Sequence, residues 1–196
     1  LSGGLSNTVY VFDDRLIIRV YGNLRNDLID GDNELTIIKH LNSLSITPMI
    51  LCEFNGGRVE EYIDNCRHMN IDDINNPRLK RKLIKKIRML HNVEMNDLGK
   101  EPLLIKYIDE WTNKAKGLNK NNEFEHLFDM KNYFLSKLHE FKKETFGIKL
   151  CHNDLQNTNI LVRDNKIKLV DFEYSGYNFI EFDIAHFVCE LNFEFN

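Results

Sequence analysis

The chain has 196 residues, 42% hydrophobic and 29% charged, the balance of an ordinary globular protein of one or two domains. Its 26 basic and 30 acidic side chains leave a net charge of −4, which argues against a nucleic-acid-binding polycation. No apolar run reaches the ~18 residues of a membrane span, and no secretory leader pattern is visible, so no membrane insertion is expected. The four cysteines, Cys52, Cys66, Cys151 and Cys189, form no C-x-x-C pair and are too sparse to staple a chain of this length. They point to reduced thiols and a cytoplasmic setting. The chain opens on a Gly-Gly turn and stops soon after an aromatic-rich stretch, and so reads as trimmed at both ends.

Alternating apolar residues predict strands over Asn7 to Phe12 and Arg15 to Tyr21, turning at Asp13-Asp14. Asp27 to Leu44 is predicted as a helix, with Leu35, Ile38 and Leu41 on one face. A second hairpin is predicted from Met49 to Phe54 and Arg58 to Ile63, around Asn55-Gly56-Gly57. Pro77 suits a first helical turn. Leu79, Leu83, Ile87 and Leu90 then mark an amphipathic helix, and the basic run Lys80 to Arg88 is read as its solvated face. Further helices are expected over Leu103 to Lys116 and after the polar loop Leu118 to Asn122. A small hairpin is expected from Asn159 to Val162 and Lys166 to Val170. A boundary near Ile63 to Asn65 divides a strand-rich lobe, 1–63, from a helical lobe, 64–196, with a cleft between them.

The strongest chemical signal is Cys151-His152-Asn153-Asp154-Leu155-Gln156-Asn157-Thr158-Asn159-Ile160-Leu161. It carries H-x-D with an Asn five residues on, and Asp171 ends an apolar strand 17 residues after Asp154. Phosphoryl transfer needs a carboxylate to receive the proton of the acceptor hydroxyl, and oxygen ligands for the Mg²⁺ that bridges the nucleotide phosphates. Asp154 suits the first task; Asn159 and Asp171 suit the second. A short hairpin can return Asp171 to face the Asp154 loop. One such Asp alone would be read as a capping or turn residue; the spaced set is read as kinase-like.

Ser2-Gly3-Gly4-Leu5-Ser6-Asn7 precedes the first hairpin, where backbone N–H groups and the Ser and Asn side chains can approach phosphates. Arg19, on an otherwise apolar strand, is expected to pair with Glu34 on the following helix and grip the nucleotide phosphates; Asp30 and Asp32 compete with Glu34. The backbone of Glu61, Tyr62 and Ile63 is placed to meet an adenine edge. Aromatic residues near Glu173, Glu181, Asp183 and Glu190 are mostly core, but rings beside carboxylates also suit an amine. His186 and Cys189 lack the further ligands a metal needs, and the remaining histidines are read as surface or packing residues.

These strings resemble the choline/ethanolamine kinases, within the protein-kinase-like fold shared with aminoglycoside phosphotransferases. The resemblance runs through Leu1 to Asn7, Ile17 to Gly22, Gly57 to Ile63, Cys151 to Leu161, Val170 to Asn178, Phe182-Asp183-Ile184-Ala185 and Cys189-Glu190. It implies an α+β fold with an antiparallel-sheet N-lobe and a mainly helical C-lobe. It implies transfer of the γ-phosphoryl group of ATP, with Mg²⁺, to an amino-alcohol hydroxyl, giving phosphocholine for phospholipid synthesis. By position, Asp154 would be the base, and Asn159 and Asp171 the Mg²⁺ ligands. Arg19 and Gln156 would touch the phosphates, with Gly3, Gly4, Leu5 and Ser6 covering them. Glu61 to Arg67 would flank adenine, and Tyr174 and Glu190 would lie near the cationic head. Gln156 favours choline over ethanolamine. Arg19 departs from the Lys usual in protein kinases, and Glu61 from a frequent Gln. Family members extend past residue 196, where further aromatic residues join the amine pocket, and begin with another strand before Leu1. Rival readings are an aminoglycoside-type small-molecule kinase and a non-catalytic nucleotide-binding fragment; homodimer formation stays open.

Overall fold

In a computed structural model of the chain, residues 2–3, 7–22, 31–118, 125–141 and 147–191 are described. Strand β1 (Ser2–Gly3) pairs with β2 (Asn7–Phe12), which turns back into β3 (Leu16–Tyr21). The turn forms at Asp13 and Asp14, with φ of 51° and 46°, a left-handed pair that matches the twist of a hairpin. Helix α1 (Gly31–Ser43) follows; the predicted residues 27–30 lie outside the described segments. Strands β4 (Ile50–Phe54) and β5 (Gly57–Glu61) complete an antiparallel sheet in the order β1-β2-β3-β5-β4. The turn between them uses Gly56 at φ 86°. At Gly57 a Cβ would stand 2.5 Å from the Arg19 carbonyl oxygen, so β5 can lie this close to β3 only with glycine there.

Beyond the sheet, β6 (Arg67–His68) leads to the short helix α2 (Ile71–Asn75) and to α3 (Pro77–His91). Asn70 and Asp73 form a reciprocal capping box on α2, which satisfies two otherwise orphaned N–H groups. Asn76 caps α3, and Pro77 opens it as expected. Leu79, Leu83 and Leu90 are buried, while Ile87 is partly so. Helices α4 (Leu103–Leu118) and α5 (Glu125–Phe141) are joined by Lys131 and Asp109, 2.5 Å apart.

The last part of the chain builds the platform for the site. Strand β7 (Ile148–Cys151) pairs antiparallel with β10 (Gly176–Phe179), while β8 (Ile160–Arg163) and β9 (Lys166–Leu169) form the expected hairpin. Asp164 and Asn165 turn it, with φ of 45° and 62°. Its alternation is clean: Ile160, Val162, Ile167 and Leu169 are buried, and the lysines face outward. Helix α6 (Ile180–Glu190) closes the described chain. The β7–β10 pair and β6 were not foreseen. One core connects Ile37 and Leu41 of α1, the buried leucines of α3, and Leu155, Ile160, Leu169 and Phe172 around the central loop. No helix among the described residues is long and apolar enough to cross a membrane.

Candidate active site

The loop between β7 and β8 is fixed from beneath before it presents any side chain. Asp183 on α6 is fully buried, and its carboxylate accepts the backbone N–H of His152 (3.1 Å) and of Asn153 (2.9 Å). His91 Nε2 stands 2.8 Å from the same carboxylate. Burial pushes the Asp183 carboxyl upward, but the His91 hydrogen bond, the nearby His152 and the backbone donor outweigh it and hold the group below its ordinary range. Asn153 takes a left-handed φ of 65° and donates to the Tyr174 and Gly176 carbonyls. The buried His152 ring donates from Nε2 to the Val170 carbonyl at 2.9 Å and tilts against Phe172, with ring centroids 4.6 Å apart. The sequence reading places Asp183 among carboxylates suited to an amine and His91 among surface or packing residues, but Asp183 is fully buried under the loop and His91 hydrogen-bonds it.

With the loop fixed, Asp154 is oriented by its neighbours. Its Oδ2 accepts from Asn159 Nδ2 at 2.9 Å and from Gln156 Nε2 at 3.1 Å. Asn159 Nδ2 also donates to the Asp154 backbone carbonyl. The other oxygen, Oδ1, lies 3.7 Å from His186 Nε2 on α6, a contact that sequence reasoning missed. Gln156, expected on the nucleotide phosphates, instead donates to Asp154.

Asp171 follows β9, at a left-handed φ of 65°. Its Oδ1 is buried and has no hydrogen-bond donor among the described residues; Arg19 Nη1 is 3.7 Å away. Burial raises the pKa of Asp171, with Arg19 and His152 opposing and Glu34 and Asp154 adding to the rise. An enclosed carboxylate oxygen without a donor fits a hard divalent cation. Asn159, whose amide nitrogen is committed to Asp154, keeps its carbonyl oxygen as a second candidate ligand. The donor set therefore fits Mg²⁺, with Asp171 and Asn159 as the residues that would hold it.

The expected pairing of Arg19 with Glu34 is corrected. Arg58, directly opposite Arg19 across β3 and β5, holds Glu34 at 2.8 Å, and both are buried. Arg19 Nε donates to Glu60 at 3.3 Å, and Arg58 binds the same carboxylate at 2.5 Å. The register decides this: Arg58 is the nearer cation for α1, which leaves Arg19 free to reach Asp171. Burial disfavours the Arg58 charge, yet Glu34 and Glu60 outweigh it and raise its pKa.

The remaining candidates divide. The Glu61 N–H donates to Met49 and the Tyr62 N–H to Arg15, so an adenine contact through this segment falls to carbonyl groups and to Ile63. Glu61 and Ile63 line a cleft of about 200 Å³ with Leu161 of the hairpin. The Arg67 guanidinium is taken by Asp73, at 2.5 and 2.6 Å, and secures the α2 cap. Asn7 donates to Glu173 at 3.4 Å, which ties β2 to the segment after Asp171. Gly4, Leu5 and Ser6 lie outside the described residues, and only the backbone of Ser2 and Gly3 is described. Tyr174 is half-buried beside the site; burial first, then Glu173, Asp154 and Asp171, raises its phenol pKa. Glu190 stands one helical turn beyond His186 on α6.

An antiparallel sheet, a helical body and a hairpin-borne Asp171 facing the Asp154 loop define the class: this is a protein-kinase-like fold. The chain belongs to the choline/ethanolamine kinase family, which it matches over residues 1–196. It is 31% identical over 181 residues to a probable choline kinase 3 of Arabidopsis thaliana, covering 90% of this chain and 51% of that protein. It is 28% identical over 242 residues to an ethanolamine kinase of Saccharomyces cerevisiae, covering 100% of this chain and 45% of that one. The crystal structure of a choline kinase from Cryptosporidium parvum superposes with a TM-score of 0.74 at 25% identity, over 97% of this chain and 62% of that chain. The chain thus spans about half the length of these curated relatives.

Proposed function

We propose that the chain carries an ATP-dependent kinase activity toward a small amino alcohol, choline first and ethanolamine second. The observation that carries this is the constellation around Asp154: one carboxylate oxygen held by Asn159 and Gln156, the other bound by no hydrogen-bond donor among the described residues and 3.7 Å from His186, and Asp171 nearby. In the reaction, the acceptor hydroxyl loses its proton to Asp154 Oδ1 as its oxygen attacks the γ-phosphorus, and ADP leaves. Asn159 and Gln156 keep the carboxylate pointed at the hydroxyl, so its placement is fixed before reaction. In this reading Arg19 meets the phosphates, with 1–63 as the nucleotide-binding lobe and 64–196 as the acceptor-binding lobe. Mg²⁺ held by Asp171 and Asn159 would neutralise charge on the phosphate oxygens. The ring of Tyr174 beside acidic groups suits a quaternary ammonium head, and the resemblance at Gln156 points to choline. We place the activity in the cytoplasm.

The test is ADP release from Mg·ATP by the intact gene product with choline, ethanolamine or kanamycin as acceptor. The proposal expects turnover with choline above ethanolamine and none with kanamycin. Turnover with kanamycin alone, or with no acceptor at all, contradicts it.

A further inference from the structure

The basic run on α3 does not stand alone in the fold. Lys82, Lys85 and Lys86 of α3 converge with Lys166 and Lys168 of β9 around one concave groove of about 530 Å³, floored by Met89 and Ile167. Two elements far apart in sequence therefore bring five ammonium groups together. Three of them are aimed by backbone carbonyls: Lys82 donates to Asn165 at 2.6 Å, Lys86 to Ser45 at 2.9 Å and Lys168 to Thr47 at 2.9 Å. None of the five pairs with a carboxylate among the described residues, and no acidic side chain lines the groove. Burial first, then Lys168 and Lys85, lowers the pKa of Lys86. In a chain of net charge −4, the backbone ties account for three of these cations and leave Lys85 and Lys166 exposed with no partner of opposite charge among the described residues.

We infer that this groove is a binding site for a compact soluble polyanion carrying two or more phosphate groups, separate from the Asp154 site. A concave volume of this size suits a small ligand better than a flat membrane. The overall negative charge disfavours a long polyanion that would run past the groove. Several phosphate oxygens can each receive an ammonium donor and relieve the mutual repulsion of the lysines.

The probe is inorganic tripolyphosphate, titrated calorimetrically into the intact protein with and without a saturating non-hydrolysable ATP analogue. The expected result is one-to-one binding that survives the analogue and weakens by roughly tenfold or more between about 0.01 and 0.15 M salt. The Lys85→Gln/Lys166→Gln variant, which alters two exposed side chains, should lose roughly tenfold in affinity with an unchanged melting temperature and unchanged ATP turnover. Absence of binding overturns the proposal. So does binding that the analogue abolishes, or binding that the double variant keeps. Capture of the protein by phosphatidylserine vesicles without tripolyphosphate binding overturns it in favour of a lipid surface.

Discussion

Arg19 of β3 reaches across to Asp171, with Nη1 3.7 Å from the buried Oδ1, and so links the sheet to the residue that follows β9. It is one step in a continuous line of charge: Asp171, Arg19, Glu60, Arg58 and Glu34. Burial raises the pKa of Glu60, but Arg19 and Arg58 outweigh it and lower the group below its ordinary value. The line sets α1, β3, β5 and the end of β9 in one electrostatic register, and its fully buried cation, Arg58, has the most to lose.

Arg58→Met removes the buried guanidinium that pairs with both Glu34 and Glu60, while Glu60 keeps Arg19. Breaking one side of a buried ion pair costs about 3–5 kcal/mol, and a loss of this order is expected in urea unfolding. Arg19→Met should cost less stability but weaken nucleotide binding. Arg58→Met stability within 1 kcal/mol of the parent, on the order of a surface substitution, would show that the line is not structural.

Asp183→Asn tests the support beneath the loop. The amide keeps one acceptor where the carboxylate accepts two backbone N–H groups and faces His91, so a loss of about 1–3 kcal/mol is expected near neutral pH. The sign with pH follows from the lowered pKa. The folded protein holds the Asp183 carboxyl below its ordinary 3.8, so this stability is present above that pH and is lost as pH falls through the folded value. Melting temperature measured from about pH 5 down to about pH 2 should fall more steeply in the parent than in Asp183→Asn. Parallel curves would contradict the assignment.

Asn159→Ala removes the amide that holds Asp154 and a candidate ligand oxygen together. Turnover should drop, and the Mg²⁺ concentration for half-maximal activity should rise at least about tenfold. Asn159→Asp restores an oxygen ligand but sets a second carboxylate beside Asp154. It should recover Mg²⁺ dependence better than turnover. Equal recovery of both would remove the orienting role given to the amide.

The parts of the fold legible in the sequence were those decided locally. The Asp13-Asp14 turn, the hairpin from Asn159 to Val170, the Pro77 start of α3 and its leucine face all rest on residues within a few positions of one another. The Asp154, Asn159 and Asp171 set was legible because a loop and one hairpin span it. The partner of Glu34 was not: Arg19 and Arg58 are 39 positions apart, and only the β3–β5 register shows which one meets α1. Asp183 was hidden for the same reason, since the N–H groups it accepts lie about 30 positions upstream. Strand β10 lacks alternation because all four of its residues are buried.

The most direct test is the choline-dependent release of ADP by Asp154→Asn beside the parent protein, with Mg·ATP affinity measured on both. The account predicts that turnover falls by about 10²–10⁴-fold while nucleotide affinity changes little, because the amide keeps the shape but cannot take the hydroxyl proton. Turnover within a few-fold of the parent would contradict the assignment of Asp154 as the base.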